Sequence, residues 1–268
     1  MAVRPPAVAG LFYPSDPTTL RGMVEAMLKQ TQVTDASGDA HLRAMIVPHA
    51  GYIYSGSTAA AAYAQLKQLA DKVRHVVIVG PAHRFGIHGV GLVEADGMAT
   101  PLGTIPLWQE GLAVAQAQPG VVVSMAAHAK EHSLEVQLPF LQVVLPEADV
   151  LPLVAGWVEP EVVANVLEAL WDQPEMLVVI SSDLSHYHPY TRAQELDSAT
   201  IDQILELDLN VTHDQACGAT GINALLLVAK AHGLKPRMDQ YCNSGDTAGD
   251  KDGVVGYMAC SWFEEVRL

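Results

Sequence analysis

Four stretches of the chain end an apolar run in side chains fit for metal or acid–base chemistry. Ile46-Val47 runs into Pro48-His49, and His75-Val76-Val77-Ile78-Val79-Gly80 runs into Pro81-Ala82-His83. Leu177 to Ser181 opens into Ser182-Asp183-Leu184-Ser185-His186, and Pro236 to Tyr241 leads into Cys242-Asn243-Ser244-Gly245-Asp246. Two neutral imidazoles and one thiolate can hold a divalent first-row metal while leaving positions open for water, substrate or oxygen, and open positions imply catalysis more than scaffolding. His49, His83 and Cys242 are therefore the expected metal ligands. Asp183 and His186, three residues apart after a strand, are expected to orient a ligand or move protons in the same pocket. A Cys242/histidine dyad for thiol catalysis is the alternative use of these residues, and it leaves one histidine idle. His132, beside Glu131 and Glu135, is a weaker candidate for supporting the site from behind. Cys217, in the glycine-rich turn Ala216-Cys217-Gly218-Ala219-Thr220-Gly221, reads as a small buried thiol, and Cys260 as core.

These side chains need elements to bring them together. A strand ending near Val47, a crossover helix over Thr58 to Ala70 with Ser57 as N-cap, and a strand from His75 form a βαβ unit, whose strands are parallel and whose crossover is right-handed. If the two strands are neighbours, His49 and His83 emerge at one sheet edge, the edge at which open α/β sheets bind ligands. A second such unit runs through Val150 to Val154, a helix from Pro160 to Trp171, and Leu177 to Ser181. Val162, Val163, Val166, Leu167, Leu170 and Trp171 share one face of that helix. Further helices are expected over Leu20 to Gln30, Leu107 to Gln116, Thr191 to Asp208 and Ile222 to Ala231, the last capped at His232-Gly233. Gly89 to Pro106 reads as a hairpin, Thr31 to Ala40 as a polar loop, and Pro139 as a kink or restart in the segment after Glu131. Val254 to Trp262 reads as a last strand. Alternating strands and helices give one α/β domain over residues 1–268, a sandwich with a largely parallel central sheet flanked by helices.

Composition sets the outer limits. Fifteen basic residues against thirty acidic ones give a formal charge of −15, which opposes a phosphate backbone, so nucleic acid is not expected as a partner. Apolar runs are short, so no membrane span is expected, and the start of the chain lacks the sustained apolar stretch of a signal peptide. Three scattered cysteines form no C-x-x-C pair, which suits a reducing compartment and makes the cytoplasm the expected location. The chain has no G-x-G-x-x-G opening a helix, no Walker A pattern and no G-x-S-x-G elbow.

Arg4-Pro5-Pro6-Ala7-Val8-Ala9-Gly10-Leu11-Phe12-Tyr13-Pro14, Val47-Pro48-His49-Ala50-Gly51-Tyr52, Gly80-Pro81-Ala82-His83, Glu131-His132-Ser133-Leu134-Glu135, Ser181-Ser182-Asp183-Leu184-Ser185-His186 and Cys242-Asn243-Ser244-Gly245-Asp246 resemble, in order and over nearly the whole chain, the Memo family, also called protein B of the AmmeMemoRadiSam system. That family is similar in fold to class III extradiol dioxygenases of the LigB type, which implies an α/β sandwich. The resemblance implies metal ligation by His49, His83 and Cys242, with Asp183 and His186 lining the pocket. The dioxygenases complete two histidines with a carboxylate, whereas the position matched here is Cys242. Three functions follow as expectations. The first is a redox enzyme using Fe(II), or copper, on a small-molecule substrate. The second is a Zn²⁺ hydrolase at the same site. The third is a non-catalytic module for a peptide or for the AMMECR-type and radical-SAM proteins of the system.

Overall fold

The computed structural model describes residues 2–31, 40–173 and 175–265. The polar stretch after Thr31 lies largely outside them. Strand His75–Pro81 shows how the sequence builds the centre of the molecule. It is apolar on both sides, and successive side chains leave it in opposite directions. Val76 and Ile78 enter one core, Val77 and Val79 the other. Met176–Ser181 divides in the same way, with Leu177 and Val179 on one side and Val178 and Ile180 on the other. Two cores on two faces make a helix–sheet–helix sandwich, as the alternation of elements predicts.

The large sheet has nine strands among the described residues. Its order is His186–His188, Val254–Glu265, Ala40–Val47, Met176–Ser181, His75–Pro81, Asp149–Ala155, Val90–Leu92, Val121–Val123, with Lys235–Asn243 also paired to Val254–Glu265. The four central strands, from Ala40–Val47 to Asp149–Ala155, are mutually parallel. Both margins join antiparallel, so the sheet is mixed outside its core. The strands before His49 and His83 are not neighbours, because Met176–Ser181, which leads to Asp183, lies between them.

Other boundaries moved for local reasons. The crossover helix begins at Tyr52 rather than Thr58, with Gly51 as N-cap, and Ser57 sits inside it. Of the region read as one hairpin, Val90–Leu92 joins the large sheet, while Gly97–Thr100 and Gly103–Pro106 pair with each other and with Val3–Arg4 in a separate small sheet. Pro139 does restart a helix, at the second position of Leu138–Val144, where its missing N–H costs nothing. Helix Ala219–His232 ends at Gly233, whose φ of 68° is the left-handed cap that glycine adopts without strain. Among the described residues no helix is long and apolar enough to cross a membrane.

His128 gives the fold a dependence on acid. Its Nε2–H donates to the Gly91 carbonyl at 2.9 Å, and its Nδ1 is buried without a partner. Burial pushes its pKa down to about 4. The unfolded chain takes up this proton near pH 6.5 and the folded chain only near pH 4, so the stabilisation is complete above about pH 6.5 and lost progressively below it, by roughly 3 kcal/mol at the acid limit. His128→Gln keeps an N–H for Gly91 and cannot protonate. Urea unfolding at pH 7.5 and pH 4.5 is expected to show a smaller difference for this variant than for the unsubstituted protein; an equal difference would place the acid sensitivity elsewhere.

Candidate metal centre

His49, His83 and His132 meet beyond the carboxyl ends of the central strands. One nitrogen from each lies within 4.8 Å of the others, and the ring centroids of the His49–His83, His49–His132 and His83–His132 pairs are 5.1, 5.5 and 4.7 Å apart. His49 and His83 arrive from strands on either side of Met176–Ser181, while His132 arrives from the loop ahead of Leu138–Val144.

The hydrogen bonds behind the rings decide which nitrogens carry the protons. Ser181 Oγ donates to the Ser133 carbonyl at 2.5 Å and accepts from Gln137 Nε2 at 2.8 Å. With its only proton committed, it can do nothing for His49 Nδ1, 2.9 Å away, except accept. His49 therefore carries its proton on Nδ1 and leaves a lone pair on Nε2, which lies 3.3 Å from Cys217 Sγ. Glu131 does the same for His83: Oε1 accepts from His83 Nδ1 at 2.9 Å, and Oε2 from the His83 backbone N–H at 2.6 Å. The Glu131 carboxylate also accepts the backbone N–H groups of His132 and Ser133, each at 3.0 Å, so one buried side chain braces two of the three histidines. Burial works against its charge, but the His83 ring and these N–H groups outweigh burial and hold its pKa well below the carboxylate range. Such carboxylate–histidine pairs fix the tautomer and the ring plane of metal ligands.

Burial also disfavours the charged form of two of these rings. It drives His49 well below the usual histidine range and His132 down to about 4. His132 Nδ1 is buried and, although 3.3 Å from Glu131 Oε1, lacks the geometry for a hydrogen bond. Three converging imidazoles, one of them with a buried, unpartnered nitrogen, form a donor set that fits a divalent first-row metal.

Asp183 stands behind His49. Its Oδ1 accepts the His49 backbone N–H at 2.7 Å, and burial pushes its pKa up to about 7. His186 follows on a short strand paired with Val254–Glu265, its pKa lowered by burial. Both line the cavity of about 680 Å³ that opens over the three histidines. That size suits a small organic ligand.

Cys242 is not a member of this three-histidine group. Lys235–Asn243 runs parallel to Ala40–Val47, so its end reaches the expected edge, but Val254–Glu265 separates the two strands. Two inter-strand spacings, roughly 10 Å, lie between the backbones. The Cys242 thiol instead meets Thr58 Oγ1 at 3.0 Å under the crossover helix, and it does not line the cavity. The sulfur that reaches the cluster belongs to Cys217, whose Sγ is 3.3 Å from His49 Nε2. Its loop lies against the end of Met176–Ser181, where Cys217 N–H donates to the Asp183 carbonyl at 3.3 Å and Gly218 N–H to Ser182 Oγ at 2.9 Å. A side chain at Gly218 would fall 2.6 Å from Ser182 Cβ, so glycine is what permits this approach. Burial, then the nearby Asp183, push the Cys217 thiol up to about 12. The glycines around Cys217 are the signal in the sequence that this turn packs closely against the end of Met176–Ser181.

The fold and this site define an α/β protein with a metal-competent, three-histidine centre at the end of its parallel strands. The family model described as Memo-like protein matches residues 4–261, and the chain belongs to the Memo family. It is 34% identical to a MEMO1 family protein of Sulfolobus acidocaldarius, over 96% of this chain and 98% of that one. It is 36% identical to a MEMO1 family protein of Methanosarcina mazei, over 97% of this chain and 98% of that one. Among solved structures, an uncharacterized Escherichia coli K12 protein, JW3007, shares the fold at a TM-score of 0.50 and 14% identity, covering 82% of this chain and 99% of its own.

Proposed function

We propose that the protein is a metal-dependent redox enzyme acting on a small molecule in the cavity over His49, His83 and His132, with Fe(II) or copper as its metal. The observation that carries this reading is the convergence of three imidazoles on a cavity large enough for a substrate. Three donors leave coordination positions free, and a redox-active metal bound there supplies electron transfer and activation of oxygen. The chain's own residues do the rest. Glu131 and Ser181 hold two of the rings in the ligating tautomer. Asp183 and His186 face the cavity and are the groups that hold or move a proton beside the substrate. Cys217 Sγ is the additional soft donor within reach of the cluster. The three-histidine set also favours a second reading, a Zn²⁺ hydrolase in which Asp183 or His186 is the base. Partnership with AMMECR-type and radical-SAM proteins is proposed from family membership alone.

Anaerobic purification from the native host, followed by elemental analysis and oxygen-uptake assays over a panel of small organic substrates, tests the proposal. Iron or copper near one equivalent is expected, with uptake that drops at least about 100-fold in Asp183→Asn while the metal is retained. Zinc with no oxygen uptake would transfer support to the hydrolase. Absence of any metal from the anaerobic protein would contradict both.

A further inference from the structure

Asp197, on helix Tyr190–Leu205, is a fully buried acid that lies outside the cavity wall. Its hydrogen-bond partners are neutral: Oδ1 accepts the Ser185 backbone N–H at 3.0 Å, and Oδ2 the Tyr241 hydroxyl at 2.8 Å. Burial pushes its pKa up, so the fold keeps the group at a cost. The surroundings are shaped to it. A Cβ at Gly256 would collide with the Asp197 carboxylate, so strand Val254–Glu265 can come this close to the helix only as glycine. Gly256 in turn accepts the Leu184 N–H at 2.8 Å and donates to the Ser185 carbonyl at 2.9 Å. Tyr241 arrives from Lys235–Asn243, the strand paired with Val254–Glu265. A helix and two strands thus close on Leu184-Ser185, the two residues before His186.

His186 needs such a hold. It opens a strand of three residues whose register with Val254–Glu265 is irregular. The next residue, Tyr187, holds a φ of 61°, a left-handed conformation that is costly for a bulky side chain. Strain of this kind persists only where the surrounding structure over-determines it. The His186 ring lines the cavity, and it and Asp197 feel each other's charge.

We infer that Asp197 is a positioning residue for His186: acting through the Ser185 N–H and steadied by Tyr241, it fixes the backbone that presents the His186 ring to the cavity. The inference rests on the proposed function for its catalytic meaning, but its geometry is read without turnover. Histidine-labelled ¹⁵N NMR spectra of the full-length protein, with one equivalent of diamagnetic Zn²⁺ at pH 8, compare the unsubstituted chain with Asp197→Ala, Asp197→Asn and Tyr241→Phe. His186→Gln assigns the ring, and His128, bonded to Gly91, serves as the control. Asp197→Ala should move the His186 resonances and leave those of His128 in place. Asp197→Asn keeps an oxygen for the Ser185 N–H and should restore the unsubstituted positions, and Tyr241→Phe should move them part of the way. Oxygen uptake by the iron- or copper-loaded protein should fall at least about tenfold in Asp197→Ala and recover in Asp197→Asn. Should Asp197→Ala fail to fold, Asp197→Asn and Tyr241→Phe decide the matter by the same resonances. An unmoved His186 ring in Asp197→Ala or Tyr241→Phe, a ring as displaced in Asp197→Asn as in Asp197→Ala, or undiminished uptake beside a displaced ring would overturn the inference. A displaced ring in a protein with no oxygen uptake at all counts against the redox reading alone.

Discussion

Glu135→Ala is expected to cost about 3 to 5 kcal/mol of folding stability, the range found when one partner of a buried ion pair is removed. Glu135 is fully buried and pairs with Arg4, itself only 3% exposed. The same carboxylate accepts the Ala7 N–H at 2.7 Å, the Val8 N–H at 3.0 Å and the Tyr13 hydroxyl at 2.5 Å. Alanine leaves a guanidinium and three further donors facing a space from which water is excluded. Arg4 retains only the carbonyls of His128 and Glu131. Domains of this kind have about 5 to 15 kcal/mol in total, so the loss takes a large share. It also reaches the site, because Phe12, two residues from the tethered segment's Gly10, packs on His132 at 4.6 Å between ring centroids and lines the cavity. Denaturant unfolding would measure it. Arg4→Met combined with Glu135→Leu should recover part of the stability by removing both charges, and a loss below about 1 kcal/mol in the single variant would show that the pair is not the anchor of the N-terminal segment.

The largest effect on metal binding is expected at the ligands. His49→Ala and His83→Ala should each weaken metal binding at least about 100-fold, and Glu131→Gln about 10 to 100-fold, since an amide cannot hold the His83 tautomer as a carboxylate does. Glu131 holds the His83 ring and the backbone of His132, so its effect should exceed that of Ser181→Ala, which frees only His49. Titration of anaerobic protein against a chromophoric chelator reads all four. Unchanged affinity in Glu131→Gln would mean that packing alone orients the rings.

Much of this centre is written in the strand ends. The apolar runs into Pro48-His49 and Pro81-Ala82-His83 announce parallel strands whose loops line one cavity, and Asp183 and His186 line it too. Strand order is not written there. Two runs separated by one helix look adjacent, and only the folded sheet shows Met176–Ser181 inserted between them, which brings Asp183 to the middle of the site. His132 is undervalued by any argument from strand ends because it follows none. A buried carboxylate, Glu131, draws its loop to His83, and that contact spans 48 residues of sequence. The choice between cysteines depends equally on long-range placement. Cys242 ends a strand on the correct edge but at its margin, while Cys217 sits in a turn with no periodicity of its own and is carried to His49 by packing against Ser182.

X-ray absorption spectroscopy of the metal-loaded protein, compared with Cys217→Ser, Cys242→Ser and His132→Ala, tests the central claim most directly. The expected spectrum shows a shell of imidazole nitrogens that loses one scatterer in His132→Ala. Any sulfur contribution should vanish in Cys217→Ser and persist in Cys242→Ser. A sulfur ligand lost on replacing Cys242, with the nitrogen shell unchanged in His132→Ala, would contradict the site described by this structure.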